Sequence, residues 1–205
     1  MYFSYKRILS YNALLNIIIA ERGVGKTYGA TKIVINDFLK NKNEFVYIRR
    51  YKTELQKGVK KFFEAVSMND EFPDHHFYNK GNTFYIDDEV AGYGITLSTA
   101  QQLKGTNFAK VKYILFDEFL IEEGQGHYIK NEVENFLGII ESISRMRNVR
   151  ILLLGNATNS ANPYFLFFDL HLPYNNDIAT FKDGLIALQF AKNEEYSKAK
   201  KETRF

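Results

Sequence analysis

Cysteine and tryptophan are absent from this chain of 205 residues, and proline occurs only three times. The absence of cysteine excludes disulfide bonds, thiol catalysis and zinc sites with cysteine ligands. Long hydrophobic runs are absent too: the most apolar early run covers only residues 13–20, and a membrane-spanning helix needs about 20 residues. Lys6 and Arg7 are not followed by a signal-peptide cleavage site. We therefore expect a cytoplasmic protein with no membrane partner.

The rest of the composition is typical of a globular domain with a real core. Hydrophobic residues make up 45% of the chain and charged residues 25%, which excludes a wholly disordered protein. Lysine and arginine number 27 against 24 acidic residues, and this net charge of +3 is too small by itself to indicate nucleic-acid binding. The length suits one domain, or one domain with a short appendage.

Short apolar runs alternate with helical patterns along the chain. The sequence predicts strands over residues 14–20, 45–49, 111–116, 150–155, 178–182 and 185–190, helices over 26–40, 53–66 and about 131–147, and a hairpin or small meander within 75–98. Thr53 is a candidate cap for the second helix. Because the strands are almost continuously apolar and alternate with helices, we expect a mostly parallel sheet that is covered on both faces.

The segment Ala-Glu-Arg-Gly-Val-Gly-Lys-Thr at residues 20–27 lies between a predicted strand and a predicted helix, which is the context of a P-loop (Walker A motif). Gly23 and Gly25 allow backbone N–H groups to turn toward a phosphate chain. Lys26 would then reach the β- and γ-phosphates of ATP, and the Thr27 hydroxyl would hold Mg²⁺. Ala20 departs from the usual first glycine and indicates a variant loop. The alternative is a glycine-rich turn with a solvated Lys26.

Three more residues belong to the predicted nucleotide-binding segment. Val24 lies inside the loop, and Tyr28 follows it in the predicted helix. Arg22 also lies in the loop, where it could sense the γ-phosphate bound to its own subunit or be a surface charge. The sequence leaves both interpretations of Arg22 open.

Two acidic residues end the strand predicted at 111–116. Asp117 would orient Mg²⁺, and Glu118 would polarise the attacking water as a general base. Such an acid pair is typical of ring and translocation ATPases, whereas the guanine-recognition motif of small GTPases does not occur. Asn156 follows the strand predicted at 150–155, where a polar residue could hold the water or report loss of the γ-phosphate. The alternatives are two solvated acids and an ordinary turn asparagine.

Basic residues outside the loop fit either a surface or an interface. Arg145 lies with two further arginines at the end of the long predicted helix, where the helix dipole favours cations; a guanidinium supplied across a subunit interface is the alternative. Residues 49–52, Arg-Arg-Tyr-Lys, could be a solvated strand end or face a neighbour's nucleotide. Lys104 and Lys110 could contact a polyanion, although scattered surface lysines are the simpler interpretation.

The chain resembles the ATPase domain of the genome-packaging motor proteins (encapsidation proteins) of phi-29-like tailed phages. The similar stretches are residues 8–11, 20–28, 47–52, 71–75, 84–87, 116–119, 128–129, 131–133, 162–168 and 201–205. The P-loop and the acid pair are general motifs. The strings Arg-Arg-Tyr-Lys at 49–52 and Asn-Pro-Tyr-Phe-Leu-Phe-Phe at 162–168 are much more specific, and the resemblance extends over nearly the whole chain.

The resemblance implies an ASCE-type P-loop ATPase that drives double-stranded DNA into a prohead and works with a packaging RNA. Such proteins form a homopentameric ring at the portal vertex when they are assembled. The isolated domain could be a monomer. The resemblance makes Arg145 a trans-acting arginine finger and Lys52 a basic residue that reaches a neighbour's nucleotide. It also implies that the meander and the segment from Lys104 to Lys110 face the DNA channel. Their contacts to DNA phosphates would depend on salt and be largely independent of sequence.

The resemblance also predicts the domain organisation and the location. Residues 1–190 would form the ATPase domain, and residues 191–205 would begin a linker to a nuclease-like second domain. The protein would act in the host cell cytoplasm, attach transiently to the prohead portal vertex, and be missing from the mature virion.

Two other classes of function remain open. A P-loop kinase that acts on a small substrate would need an acceptor site and an arginine-bearing lid, and we find no clear lid in the sequence. A non-enzymatic, nucleotide-dependent assembly protein would have no need for both Lys26 and Glu118. The acid pair therefore favours ATP hydrolysis.

Overall fold

The computed structural model describes residues 3–99, 107–122, 124, 126–156, 161–173 and 177–191. Within them a central sheet is built from the strands β1 (Leu15–Ala20), β2 (Glu44–Arg49), β3 (Phe77–Lys80), β4 (Thr83–Ile86), β5 (Glu89–Thr96), β6 (Val111–Asp117), β7 (Arg150–Asn156), β8 (Ile178–Phe181) and β9 (Ile186–Ala191). The helices are α1 (Lys6–Leu9), α2 (Lys26–Asn41), α3 (Lys52–Lys61), α4 (Glu64–Met68), α5 (Glu132–Ser144) and α6 (Pro163–Phe168).

Parallel pairing dominates the middle of the sheet. The described strands lie in the order β3-β4-β5-β2-β6-β7-β1-β9-β8. All neighbours from β5 to β9 in that order are parallel, and the outer pairs β3–β4, β4–β5 and β8–β9 are antiparallel. β7 separates β1 from β6, as in ASCE-type P-loop NTPases. The predicted fold class is confirmed, including the meander within residues 75–98.

Apolar side chains cover both faces of the central strands, which explains their continuously apolar sequences. All six residues of β1 and all six of β2 are buried. On one face, Phe136 of α5 and Tyr164 of α6 pack against Phe116. The other face carries a second core with Phe38 of α2 and Phe62. The two layers hold the carboxyl ends of β1, β6 and β7 side by side.

The prediction of one helix over residues 53–66 is wrong. Two helices occupy this region, α3 and α4, and the chain turns at Phe62 and Phe63 between them. Both rings are buried and pack against Phe84, so burial of these aromatic residues outweighs continuation of the helix. Thr53 is not the cap, because α3 starts after Tyr51, whose backbone N–H donates to the Glu54 carboxylate (3.3 Å).

The long helix predicted over about 131–147 ends earlier than expected. Its last residue is Ser144, since Arg145 and Met146 have φ angles of 39° and 68°. This left-handed backbone stops the helix, and Arg145 is its C-cap. Arg145 therefore follows α5 and is exposed to solvent.

Helix α6 was not predicted from the sequence because it is only six residues long. The local signal was present, however: the Asn162 side chain accepts a hydrogen bond from the Phe165 N–H (3.0 Å), and Pro163 occupies the first helical position. We predicted the linker over residues 191–205: Ala191 is the last residue of β9, and residues 192–205 lie outside the described residues, as does Lys104. None of the described helices is long and apolar enough to cross a membrane.

Candidate active site

The loop between β1 and α2 has the backbone that a phosphate-binding loop requires. Gly23 and Gly25 have φ angles of 82° and 79°, in the left-handed region that favours glycine. The first N–H groups of the 16-residue helix α2 point toward the loop, as they do at any helix start. Gly25, its N-cap, has no side chain that could bind them. Ala20 is the last residue of β1 and has extended backbone. Alanine is therefore compatible with the loop at the position where glycine is usual.

The N-terminal segment supports the loop from outside, which the sequence did not indicate. The Phe3 backbone N–H donates to the Val24 carbonyl (2.9 Å), and the Tyr5 hydroxyl donates to the Lys26 carbonyl (2.7 Å). Gly29 makes room for this segment, since a Cβ there would lie 2.9 Å from the Tyr5 ring. The buried Tyr5 ring thus fixes the first turn of α2.

Lys26 lies across the loop with its side chain largely buried. Its Nζ donates to the carbonyls of Ala20 (3.0 Å) and Glu21 (2.9 Å) and to Oδ1 of Asn156 (3.0 Å). Burial lowers the pKa of Lys26 to about 8, although the negative charge of Asp117 acts in the opposite direction. The amine is thus a desolvated cation held at the loop by neutral oxygens.

Asp117 ends β6 directly opposite the start of α2. Its carboxylate accepts a hydrogen bond from Thr27 Oγ1 (3.1 Å) and another from the Tyr47 hydroxyl (3.3 Å). Burial raises the pKa of Asp117, and Arg49 at 3.6 Å opposes that effect. The charge of the buried Asp117 carboxylate is thus incompletely compensated. Together with the adjacent Thr27 hydroxyl, this carboxylate provides two oxygen ligands suitable for Mg²⁺. Thr27 and Asp117 could therefore hold that ion.

Glu118 follows β6 with a φ of 55°, which is uncommon for a residue with a Cβ atom. Its carboxylate is 57% exposed and forms an ion pair with Arg49. Burial acts to lower the pKa of the Arg49 guanidinium. Its neighbours Tyr47, Asp117 and Glu118 outweigh that effect, so the pKa of Arg49 is raised. Arg49 therefore stays charged and holds Glu118 in the present arrangement.

Two of the three cations at residues 49–52, Arg49 and Arg50, differ from both interpretations made from the sequence. Arg49 and Arg50 are buried, and each is paired with an acid of this chain, Glu118 and Glu132 respectively. They are therefore neither a solvated strand end nor free to face a neighbour. Lys52 alone of the three cations is exposed.

Asn156 ends β7 and links Lys26 to an acid that sequence reasoning missed. Its Nδ2 donates to Glu122 Oε1 (2.5 Å), which also accepts from Arg22 Nε (2.9 Å). The Arg22 side chain is 64% exposed, so this ion pair is near the surface. No local pattern marks Glu122, because its partners are 34 and 100 residues away in sequence.

These residues line one cavity of about 510 Å³ at the carboxyl ends of β1, β6 and β7. Its lining is Arg22, Gly23, Gly25, Lys26, Thr27, Tyr28, Asp117, Glu118, Leu154 and Asn156. Tyr28 is oriented by a hydrogen bond from its hydroxyl to Glu71, which also pairs with Lys32 at 2.6 Å. Hydrogen bonds from Lys32 and Tyr28 lower the pKa of Glu71. The sequence did not point to Glu71 as a partner of the site.

The other predicted residues lie elsewhere. Lys52, Lys110 and Arg145 are exposed and do not line this cavity. In the part of the chain that the structure describes, no group of three or more His, Asp or Glu side chains could hold a metal ion. A divalent cation at Thr27 and Asp117 would therefore take its remaining oxygen ligands from phosphate and water, as Mg²⁺ commonly does.

Comparison with known proteins shows the relationships of the chain. Residues 1–205 match the family model of the podovirus DNA encapsidation protein (Gp16). The DNA packaging protein of Bacillus phage phi29 is 39% identical over 206 residues, which cover 100% of this chain and 60% of the relative. The chain thus spans about 60% of the length of that curated relative.

Solved structures of phi29 packaging proteins are similar to the chain as well. The crystal structure of the N-terminal domain of the DNA packaging ATPase from bacteriophage phi29 is 39% identical, with a TM-score of 0.84 over 93% of this chain and 96% of that one. A chain of the phi29 viral genome packaging motor assembly is also 39% identical, with a TM-score of 0.82 over 92% of this chain and 57% of that one.

Proposed function

The chain belongs to the podovirus DNA encapsidation protein (Gp16) family, and on that premise we propose that it is the ATP-hydrolysing part of a motor that moves viral double-stranded DNA into a prohead. One observation carries the proposal. Lys26, Thr27, Asp117 and Glu118 come from two distant segments and line the same cavity. Fold likeness alone would not support an activity, whereas this set of side chains matches the requirements of phosphoryl transfer to water.

ATP binding would use the loop and the start of α2. The N–H groups of residues 23–27 would bind phosphate oxygens, and Lys26 would exchange its bonds to main-chain carbonyls for bonds to the β- and γ-phosphates. Mg²⁺ held by Thr27 and Asp117 would neutralise part of the phosphate charge. Tyr28, on the same cavity wall, belongs to the binding segment.

Hydrolysis would depend on Glu118. Its carboxylate would accept a proton from the water that attacks the γ-phosphorus, while the bond to ADP breaks. The Glu118 carboxylate is bound to the Arg49 guanidinium, so Glu118 must be at least partly released from Arg49 before it can bind the attacking water. Asn156 and Arg22 line the same cavity as Glu118, where Asn156 would orient the water and Arg22 would contact phosphate.

Subunits would cooperate through exposed cations. Arg145 and Lys52 lie outside the cavity of their own chain, which fits groups that act on a neighbour's nucleotide in a homopentameric ring. Lys104 and Lys110 would contact DNA phosphates, with an affinity that falls as salt rises. The assembly would include the portal of the prohead and a packaging RNA, and would act in the host cell cytoplasm without remaining in the mature virion.

Phosphate release from ATP and Mg²⁺, measured with and without linear double-stranded DNA, tests the proposal. We expect hydrolysis that DNA stimulates in the assembled protein, loss of hydrolysis in Lys26→Ala, and no effect of Lys40→Ala at the far end of the same helix. A P-loop kinase would instead transfer phosphate to an acceptor. A non-enzymatic assembly protein would bind nucleotide and release no phosphate, and either result would refute the proposal.

A further inference from the structure

A buried ion pair lies directly behind the turn that carries Glu118. Arg50 follows β2 and Glu132 begins α5, and their side chains are only 3% and 1% exposed. The guanidinium binds both carboxylate oxygens, with Nε 2.9 Å from Oε2 and Nη2 2.8 Å from Oε1. This two-pronged geometry fixes the orientation of the guanidinium plane as well as its position.

The same guanidinium also binds the main chain of the turn after β6. Nη2 of Arg50 donates to the Phe119 carbonyl (2.6 Å), and Nη1 donates to the Glu118 carbonyl (3.3 Å). The rings of Phe116 and Tyr128 lie beside the guanidinium, at 5.8 Å and 5.1 Å from its carbon. Arg50 therefore connects a side chain on α5 to the two successive peptide carbonyls that follow the Glu118 Cα.

Glu132 is held as firmly as Arg50. Its Oε1 accepts a hydrogen bond from the Tyr164 hydroxyl (2.9 Å), and its Oε2 accepts one from the Ile129 N–H (2.9 Å). Three elements, the end of β2, the start of α5 and α6, thus meet at one carboxylate. The position of the Arg50 guanidinium is consequently determined by groups that do not touch the cavity.

The backbone that Arg50 holds is strained. Glu118 has a left-handed φ of 55°, and such a conformation of a non-glycine residue persists only where surrounding contacts impose it. The Phe119 N–H bonds to the Leu154 carbonyl on β7 (3.2 Å), which fixes one side of the turn. The two carbonyl contacts from Arg50 fix the other side, and together they set the direction in which the Glu118 side chain leaves the backbone.

We propose that Arg50, oriented by Glu132, is a positioning residue that aims the Glu118 carboxylate for its part in hydrolysis. The proposal rests on the function proposed above for Glu118. Stability alone is a weak reason for this pair, because a buried ion pair is often no more stabilising than apolar residues of the same volume. A lysine would keep the charge, but its single ammonium could not span the carboxylate and two carbonyls in this geometry.

The test is Arg50→Lys in the full chain, with kcat for phosphate release and the dissociation constant for ATP measured separately. We expect kcat to fall by about tenfold or more, since misplacement by about 1 Å of a catalytic group can reduce the rate about 100-fold. ATP affinity should stay within about threefold, because Arg50 does not line the cavity. Arg150→Lys is the matched control: Arg150 binds the Leu9 carbonyl and Asn12 away from the site, and its kcat should be unchanged.

Glu118→Gln, measured alongside, separates the two proposals. If the native protein hydrolyses ATP, Glu118→Gln does not, and Arg50→Lys keeps the native kcat, positioning by Arg50 is refuted and the proposed function stands. If Glu118→Gln also keeps the native kcat, both proposals fail. Should Arg50→Lys not fold, Tyr164→Phe removes one hydrogen bond to Glu132 and should lower kcat by about threefold or more. An unchanged kcat in a folded Tyr164→Phe would equally refute positioning.

Discussion

Replacing Gly58 with alanine should destabilise the protein relative to an ordinary glycine-to-alanine change in a helix. Gly58 lies in α3, and a Cβ atom there would stand 2.6 Å from the Tyr47 hydroxyl and 2.9 Å from its ring. Tyr47 is 2% exposed and packs against Phe62 and Phe84, so it cannot turn away freely. Any displacement also moves the hydroxyl that donates to Asp117.

Two opposing effects determine the size of the change. Alanine is about 1 kcal/mol more favourable than glycine inside a helix. Overpacking of a well-filled core costs about 1–3 kcal/mol. Gly58→Ala should therefore range from neutral to about 2 kcal/mol destabilising. Gly138 in α5 offers the matched control, because a Cβ there meets no atom within 4 Å, and Gly138→Ala should stabilise by about 1 kcal/mol.

Thermal unfolding of the native chain and the two variants measures this difference. For a chain of this length, 1 kcal/mol corresponds to a shift in Tm of about 2–4 °C. Gly138→Ala should raise Tm by about that amount, and Gly58→Ala should leave it unchanged or lower it by up to about 8 °C. Equal stabilisation by both variants would refute the reasoning, because it would mean that Tyr47 makes room for a methyl group without loss.

Two further predictions concern basic residues, Lys26 inside the cavity and Arg145 outside it. Because burial lowers the pKa of Lys26 to about 8, unfolding takes up a proton there between about pH 8 and the usual lysine pKa of 10.5, so the unfolding free energy should rise with pH in that window. Urea unfolding of the native chain should show a pH dependence that Lys26→Met lacks, and identical pH dependence would contradict the burial argument. Arg145→Ala should unfold at the native temperature, because Arg145 is exposed, yet it should reduce ATP hydrolysis in the assembled ring. Mixing the variant with native subunits should restore part of the activity. Normal hydrolysis by Arg145→Ala rings would exclude a role in trans.

The fold and the centre of the candidate site could be predicted because both follow from local patterns. Apolar runs that alternate with helices indicate the sheet, and parallel strands end at the same edge. Lys26, Thr27, Asp117 and Asn156 could therefore be placed together, since each stands at or just after the end of a strand or at the following helix start. The structure places them around one cavity, as that topology requires.

The partners of the site could not be predicted, because they are brought together by tertiary contacts between distant segments. Arg49 reaches Glu118 across 69 residues, and Tyr5 reaches Lys26 across 21. No periodicity or spacing distinguishes an arginine that pairs inside the molecule from one that faces solvent. The helix break at Phe62 has a similar origin, because aromatic packing on the sheet outweighs local helix propensity there.

The most direct test of the account compares ATP binding with ATP hydrolysis in Glu118→Gln. This change keeps the shape of the side chain and removes the carboxylate that would accept the proton from water. ATP affinity should stay within about threefold of native, whereas the rate of phosphate release under single-turnover conditions should fall by about 100-fold or more. Glu64→Gln, on the exposed surface of α4, should behave as native. Native phosphate release by Glu118→Gln would contradict the assignment of this cavity as a hydrolytic site.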